Sequence, residues 1–304
     1  MTPEPGPVIE PDEAHAMWSA GEATFVDGTW TLTPGGSPDA TAKLPGAVRF
    51  DLNQVSDGSS CLPHMAPDAG QVADWARAVG LPVDCSVVIY DDNGMFSSPR
   101  VWWTLRHAGW RNVRVLNGGR PAWIAAGLPL EGQATATREA RDDRRAAAPP
   151  RRLASAGLKT VQAAVAAGGA SIVDARPADR FLGRTPEPRP GLRGGAMPGA
   201  RNVPYTALTD GGGRLKAPDD IKSAFEAAGV DLDGEVIATC GSGVTAAIVI
   251  LALETIGHRR HRLYDGSWAE WGAPDPAGKR PVVTQAGNQF LRISDPWPKD
   301  EQSR

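Results

Sequence analysis

The sequence predicts an α/β chain built as two copies of one unit, each copy a parallel β-sheet with helices on both faces. Three observations carry this: an internal repeat, short apolar runs alternating with helical patterns, and a length that suits two domains. At 304 residues the chain is long for one hydrophobic core and ordinary for two.

The repeat is visible by eye. Phe25-Val26-Asp27 recurs as Ile172-Val173-Asp174, and Leu44-Pro45-Gly46-Ala47 recurs as Met197-Pro198-Gly199-Ala200. Val87-Val88-Ile89-Tyr90-Asp91 recurs as Val236-Ile237-Ala238-Thr239-Cys240, and Asn117-Gly118-Gly119 with Trp123 recurs as Asp265-Gly266-Ser267 with Trp271. Matches in order at a nearly constant offset indicate duplication. Between the copies, Glu131 to Arg152 is rich in Ala, Arg, Asp and Pro without apolar periodicity, which is linker composition. The expected division is therefore 1–130, a linker over 131–152, and 153–304.

In the second copy the pattern predicts a helix over Leu158–Ala167, a strand over Ser171–Asp174 and a helix over Asp219–Ala228. A strand over Val236–Thr239, a buried helix over Val244–Ile256 and a strand over Arg262–Tyr264 follow. Strands separated by helices imply a parallel sheet. Ligands of such sheets sit at the carboxyl ends of the strands, where Cys240 falls.

Composition narrows the function classes. Hydrophobic residues make up 41% and charged residues 22%, with a net charge of −3. That balance is globular and offers no electrostatic footprint for nucleic acid or an anionic membrane. The proline-rich start, Met1 to Glu10, lacks the apolar core of a secretory signal, and no apolar run is long enough for a membrane span. The expected location is cytoplasmic. The 3 cysteines form no CxxC pair and the 5 histidines are not at zinc spacing. Neither a disulfide framework nor a metal site is expected. Cys85, opening the run Val87 to Tyr90, reads as a small buried hydrophobe.

Cys240 differs because it heads Cys240-Gly241-Ser242-Gly243-Val244-Thr245, a glycine-containing turn between a strand and a helix. A thiol is nucleophilic as thiolate, so catalysis favours a pKa lowered from about 8.5. Backbone N–H groups converging on the sulfur, aided by the positive end of the following helix, can achieve this. Gly241 and Gly243 permit backbone conformations and approaches that side chains would block. On loop shape alone, a tight turn with an incidental cysteine remains the alternative.

The segment Ala238-Thr239-Cys240-Gly241-Ser242-Gly243-Val244-Thr245-Ala246 resembles the active-site segment of 3-mercaptopyruvate sulfurtransferases, within the rhodanese superfamily. Tyr264-Asp265-Gly266-Ser267-Trp268-Ala269-Glu270-Trp271 is similar to that family's downstream segment. Asp174-Ala175-Arg176, Pro186-Glu187-Pro188-Arg189 and Pro198-Gly199 are similar upstream. The resemblance spans most of the chain and implies two rhodanese-like domains, with Cys240 as nucleophile and Gly241 to Thr245 (Gly241, Ser242, Gly243, Val244, Thr245) cradling a persulfide. Asp91, which cannot form a persulfide, stands where the first copy would carry the nucleophile, so that copy is expected to be inactive.

The resemblance further implies that Arg180 and Arg189 clamp the substrate carboxylate, a task for which the guanidinium fork is suited. Arg176 is expected to pair with Asp174 instead. Ser242 and His64 are implied as proton-handling partners, although His64 can equally be an interdomain hydrogen-bonding residue. The family's aspartate, two residues after Asp51, is Asn53 here, which puts a charged triad in doubt. Ala196 also stands where a histidine is common.

The expected activity is transfer of sulfur from 3-mercaptopyruvate through a persulfide on Cys240, with release of pyruvate and no cofactor. The acceptor is expected to be a small thiol, a thioredoxin-like protein or cyanide. Neutral Gly241 and Ser242, where thiosulfate enzymes usually carry basic residues, favour this donor over thiosulfate. A thiosulfate:cyanide sulfurtransferase is the alternative on the same fold, and a non-catalytic sulfur-carrier or binding module the alternative of another class. A cysteine phosphatase is disfavoured by the short loop and by the lack of a closing arginine.

Overall fold

A computed structural model describes residues 6–32, 43–82, 85–131, 152–286 and 289–292. The first unit runs β1 (Val8–Ile9), α1 (Pro11–Ser19), β2 (Ala23–Asp27), β3 (Val48–Arg49), α2 (Ala69–Ala78), β4 (Ser86–Tyr90), α3 (Ser98–Ala108), β5 (Val113–Leu116) and α4 (Gly119–Ala125). The second opens with β6 (Ala154–Ala156), α5 (Leu158–Ala167), β7 (Ala170–Asp174), α6 (Ala178–Phe181), β8 (Arg201–Asn202) and α7 (Tyr205–Leu208). It continues with α8 (Pro218–Ala227), β9 (Glu235–Thr239), α9 (Ala246–Thr255), β10 (His261–Tyr264) and α10 (Ser267–Trp271). An antiparallel hairpin of β11 (Val283–Ala286) and β12 (Gln289–Arg292) follows.

Each unit forms a 5-stranded sheet, in the orders β1-β5-β4-β2-β3 and β6-β10-β9-β7-β8. Every pairing within them is parallel, and the orders are equivalent strand for strand. The expected α/β architecture is thus present twice.

Side-chain alternation explains why both faces are covered. Along β4, Val87 and Ile89 join one core while Val88 and Tyr90 join another beneath α1 and α4. Along β9, Val236 and Ala238 face the first of these cores and Ile237 faces a third beneath α5 and α10. The first core is shared by the two units: α3 and α9 lie in it, with Trp102, Trp103, Ile248 and Leu251 all buried. A strand with apolar residues on both faces must be covered on both. α9 is apolar around its whole circumference, from Ala246 to Leu253, because it is buried from both sides.

Helix ends depart slightly from expectation. α9 starts at Ala246 rather than Val244, because the residues after Cys240 form a separate loop. α8 ends at Ala227, two residues before Gly229 turns left-handed at φ 71°. Cys85 is half-buried just before β4 rather than buried within it. The linker expected over 131–152 lies, apart from Glu131 and Arg152, outside the described residues. The β11–β12 hairpin has no counterpart in the sequence-based expectations.

Candidate active site

Cys240 directly follows the last residue of β9 and is 2% exposed. Its backbone is gripped by the turn after β10. The Cys240 N–H donates to Ser267 Oγ at 3.2 Å, and that hydroxyl donates to the Tyr264 carbonyl at 2.8 Å. The Trp268 N–H donates to the Cys240 carbonyl and the Ala269 N–H to the Gly241 carbonyl, each at 2.9 Å. From there to the first turn of α9, the N–H groups of Gly241, Ser242, Gly243, Val244, Thr245 and Ala246 donate to no backbone carbonyl. They surround the start of a helix, where the backbone dipole favours negative charge.

The first copy displays what such a loop holds. Asp91 occupies the position of Cys240, and its carboxylate accepts the N–H groups of Asn93 at 2.8 Å, Ser97 at 2.9 Å and Ser98 at 2.7 Å. At the same offset the corresponding donors in the second copy are Ser242, Ala246 and Ala247. Of these, Ala247 is taken by the Val244 carbonyl at 3.2 Å. One copy therefore holds an anion of its own, while the other presents Ser242 and Ala246 N–H groups beside a cysteine.

Gly243 has φ 78°. A Cβ there would meet Arg100 Nη1 at 2.8 Å and the Asp265 carbonyl oxygen at 3.2 Å. Both constraints require glycine. Gly243→Ala is expected to cost about 1–3 kcal/mol of stability and to impair turnover, measured by denaturant unfolding and steady-state assay.

The first unit contributes to this centre directly. Arg100, from α3 and 1% exposed, pairs with Asp265 of the second unit at 2.6 Å. Its Nη2 donates to the His64 carbonyl at 2.6 Å, and Asp265 Oδ2 accepts the Ala66 N–H at 2.6 Å. These bonds fix the loop bearing His64 so that Nδ1 lies 3.3 Å from Ser242 Oγ. His64 Nε2 lies 3.2 Å from Asn53 Oδ1, and Trp30 packs edge-on against the imidazole at 4.8 Å. A bare interdomain hydrogen bond and a site residue are here the same thing: His64 reaches across the interface to the loop of Cys240.

Backbone conformation points to the same place. Among the described residues, His64 (φ 58°) and Ser267 (φ 48°) are the non-glycine residues with positive φ. The offset relating Asp91 to Cys240 matches them with Gly213 (φ 74°) and Gly118 (φ 79°) in the opposite copies. Two side chains are thus retained where the duplicate uses glycine, at a cost of about 1 kcal/mol or more each. Both are joined to the Cys240 loop by hydrogen bonds.

The arginines divide as their surroundings dictate. Arg176 is buried, paired with Asp174 at 2.7 Å and Glu187 at 2.8 Å, and stacked 4.1 Å over the Trp268 ring. It builds the wall, as the expected pairing with Asp174 implied. Arg180 pairs with Glu187 at 2.5 Å, and its Nη2 lies 3.0 Å from where a Cβ on Gly241 would stand. Arg189 Nη2 donates to Ser242 Oγ at 3.3 Å. Burial lowers the Arg189 pKa against the attraction of Cys240, with Arg180 adding to the lowering. Arg184 is more than half exposed and lies 3.6 Å from Asp179. Among the described residues no group of three or more His, Cys, Asp and Glu gathers as a metal site would require.

The family profile described as the rhodanese-like domain matches residues 10–126 and again 158–274. The chain belongs to the rhodanese family. Within that family it is 43% identical over 241 residues to the 3-mercaptopyruvate sulfurtransferase of Escherichia coli K12, covering 79% of this chain and 83% of that protein. It is 39% identical over 233 residues to the 3-mercaptopyruvate sulfurtransferase of Mus musculus, covering 75% and 76%. A crystal structure of SseA from Escherichia coli, described as a 3-mercaptopyruvate sulfotransferase with the rhodanese fold, superposes with a TM-score of 0.73 at 36% identity. That superposition covers 87% of this chain and 99% of SseA.

Sequence reasoning about this rhodanese missed Arg100, Asp265, Ser267 and Trp30 as parts of the site. Asp265 and Ser267 lie within Tyr264 to Trp271, the segment similar to the family's, so the sequence carries a signal for them. Arg100 and Trp30 lie in the nucleophile-free copy, and nothing in their local pattern marks them. Burial, aided by Arg189 and Arg100, lowers the His64 pKa from 6.5 to about 4. The unfolded chain therefore binds this proton across a window where the folded chain does not. Stability is expected to fall as pH drops from about 6.5 to about 4, and His64→Gln should flatten that part of a pH series of denaturant unfolding.

Proposed function

We propose that this chain is a 3-mercaptopyruvate sulfurtransferase that carries sulfur as a persulfide on Cys240. The observation that carries the donor assignment is the placement of Arg180 over the neutral Gly241. Its guanidinium fills the space a side chain at 241 would need, so positive charge is supplied from above the loop. That charge suits a carboxylate at a distance from the reacting sulfur better than a dianion seated on the loop. Glu187 engages Nε and Nη2 of Arg180, which leaves the Nη1 donors for a ligand. Together with Arg189, they supply charged donors for the carboxylate and neighbouring ketone of 3-mercaptopyruvate.

In the first half-reaction the Cys240 thiolate attacks the substrate sulfur. The S–S bond forms as the C–S bond breaks, and the electron pair leaves on carbon as the enolate of pyruvate. The substrate S–H proton passes to the enolate through Ser242 and His64, or through water. The persulfide anion is left facing the Ser242 and Ala246 N–H groups, the arrangement that Asp91 supports by analogy in the first copy. In the second half-reaction an acceptor thiolate, or cyanide, attacks the outer sulfur and releases the Cys240 thiolate. We propose a small thiol or a thioredoxin-like protein as acceptor, and the cytoplasm as a compartment reducing enough to keep Cys240 free. No helix among the described residues is long and apolar enough to cross a membrane.

Comparing kcat/KM for 3-mercaptopyruvate and thiosulfate with cyanide as common acceptor tests the donor. The expected preference for 3-mercaptopyruvate is at least tenfold, about 1.4 kcal/mol of differential transition-state binding. A preference for thiosulfate overturns the assignment.

A further inference from the structure

We propose that Trp30 and Asn53 are positioning residues that hold His64 in the tautomer whose bare nitrogen faces Ser242. This rests on the reading of Cys240, Ser242 and His64 given above and states how the proton path is oriented.

The argument starts from the indole. A tryptophan Nε1–H can only donate, and that of Trp30 lies 3.2 Å from Asn53 Oδ1. The amide is therefore oriented with its oxygen toward Trp30. The same oxygen lies 3.2 Å from His64 Nε2. An amide oxygen offers only lone pairs, so the hydrogen of this second contact sits on His64 Nε2. In a neutral ring the other nitrogen, Nδ1, is then an acceptor. It lies 3.3 Å from Ser242 Oγ, which in turn accepts from Arg189 Nη2 at 3.3 Å. The hydroxyl hydrogen of Ser242 is left to point at His64. Every donor along the chain from Arg189 through Ser242, His64 and Asn53 to Trp30 is thereby fixed.

Trp30 and Asn53 are themselves held. The Trp30 backbone N–H donates to Ser97 Oγ at 3.0 Å, and its ring lies parallel to Phe96 at 6.3 Å. The Asn53 N–H donates to Asp51 Oδ1 at 2.9 Å. The charges facing His64 are the cations Arg189 and Arg100 and the carboxylates Asp265 and Asp51. With two cations near and an uncharged amide on Nε2, the ring is kept neutral, and an asparagine suits a neutral histidine where an aspartate would favour imidazolium. His64 can then take the proton that Ser242 relays from the substrate sulfur and return it to the enolate. It brings no proton of its own at neutral pH.

Nitrogen-15 NMR of the full-length protein with labelled histidine tests this without turnover. His64→Gln identifies the signal. At neutral pH the expected spectrum shows a protonated Nε2 and an unprotonated Nδ1, and Trp30→Phe shifts the ring toward a mixture of tautomers. The isosteric Asn53→Asp is expected to raise the His64 titration midpoint by about one to three pH units. Trp30→Phe is also expected to lower kcat by roughly tenfold or more while leaving KM for the donor unchanged, since proton transfer alone is affected. A native ring protonated on Nδ1, or a midpoint unmoved in Asn53→Asp, overturns the proposal. Persulfide formation on Cys240, read separately by mass, distinguishes its failure from failure of the proposed function.

Discussion

Cys240→Ser is expected to lower kcat/KM for sulfur transfer by on the order of 10⁴-fold or more, to the uncatalysed level. Serine keeps the shape of the side chain but offers no thiolate, and an alkoxide is far too basic to form beside the loop at neutral pH. The fold should be unaffected. The residue is buried, its own N–H is held by Ser267, and a hydroxyl can pair with the N–H groups of the loop. Thermal unfolding is expected to change little, while steady-state assays with 3-mercaptopyruvate lose their signal. Donor binding should survive, because Arg180 and Arg189 are untouched; calorimetric titration of the variant with the donor measures this. Retained turnover in Cys240→Ser would remove the cysteine from the mechanism.

Arg100→Met is expected to be the most destabilising single change at the interface. Arg100 is 1% exposed and its partner Asp265 is 6% exposed. Removing one member of a buried ion pair leaves the other charged, dehydrated and unpaired, a cost of about 3–5 kcal/mol. Asp265 would keep only the Ala66 N–H as a charge-stabilising donor across the interface, and the His64 carbonyl would lose its donor too. Two further consequences follow from position. The loop bearing His64 loosens, so turnover falls beyond what instability explains. Gly243 also loses the guanidinium packed against it. In Arg100→Met with Asp265→Asn the uncompensated charge is gone, and part of the lost stability should return. Denaturant unfolding of the two single variants and the double variant measures the coupling.

Much of the fold was legible because duplication writes the same signal twice. The strands Ser86–Tyr90 and Glu235–Thr239 each show an apolar run followed by a turn, and their agreement established the unit. Cys240 was legible for the same reason: it interrupts the correspondence with Asp91 at a strand end where ligands bind. Arg180 and Arg189 were legible only through motifs, since an isolated arginine reads as a surface charge. Interactions across the interface were not legible. Arg100 lies on a helix whose pattern says only that it is buried, and its partner is distant in sequence. Trp30 lies in no motif, yet its indole N–H bonds the Asn53 oxygen that faces His64. Neither periodicity nor spacing records which units will share a core, and in this chain that shared core sets α3 against α9.

The central claim is that Cys240 carries the sulfur. Mass spectrometry of the intact protein after treatment with 3-mercaptopyruvate, without acceptor, tests it most directly. The account predicts a gain of one sulfur atom on the native protein, located to the peptide containing Cys240 and removed by cyanide, with no gain in Cys240→Ser. No gain in the native protein, or an equal gain in the variant, would contradict it.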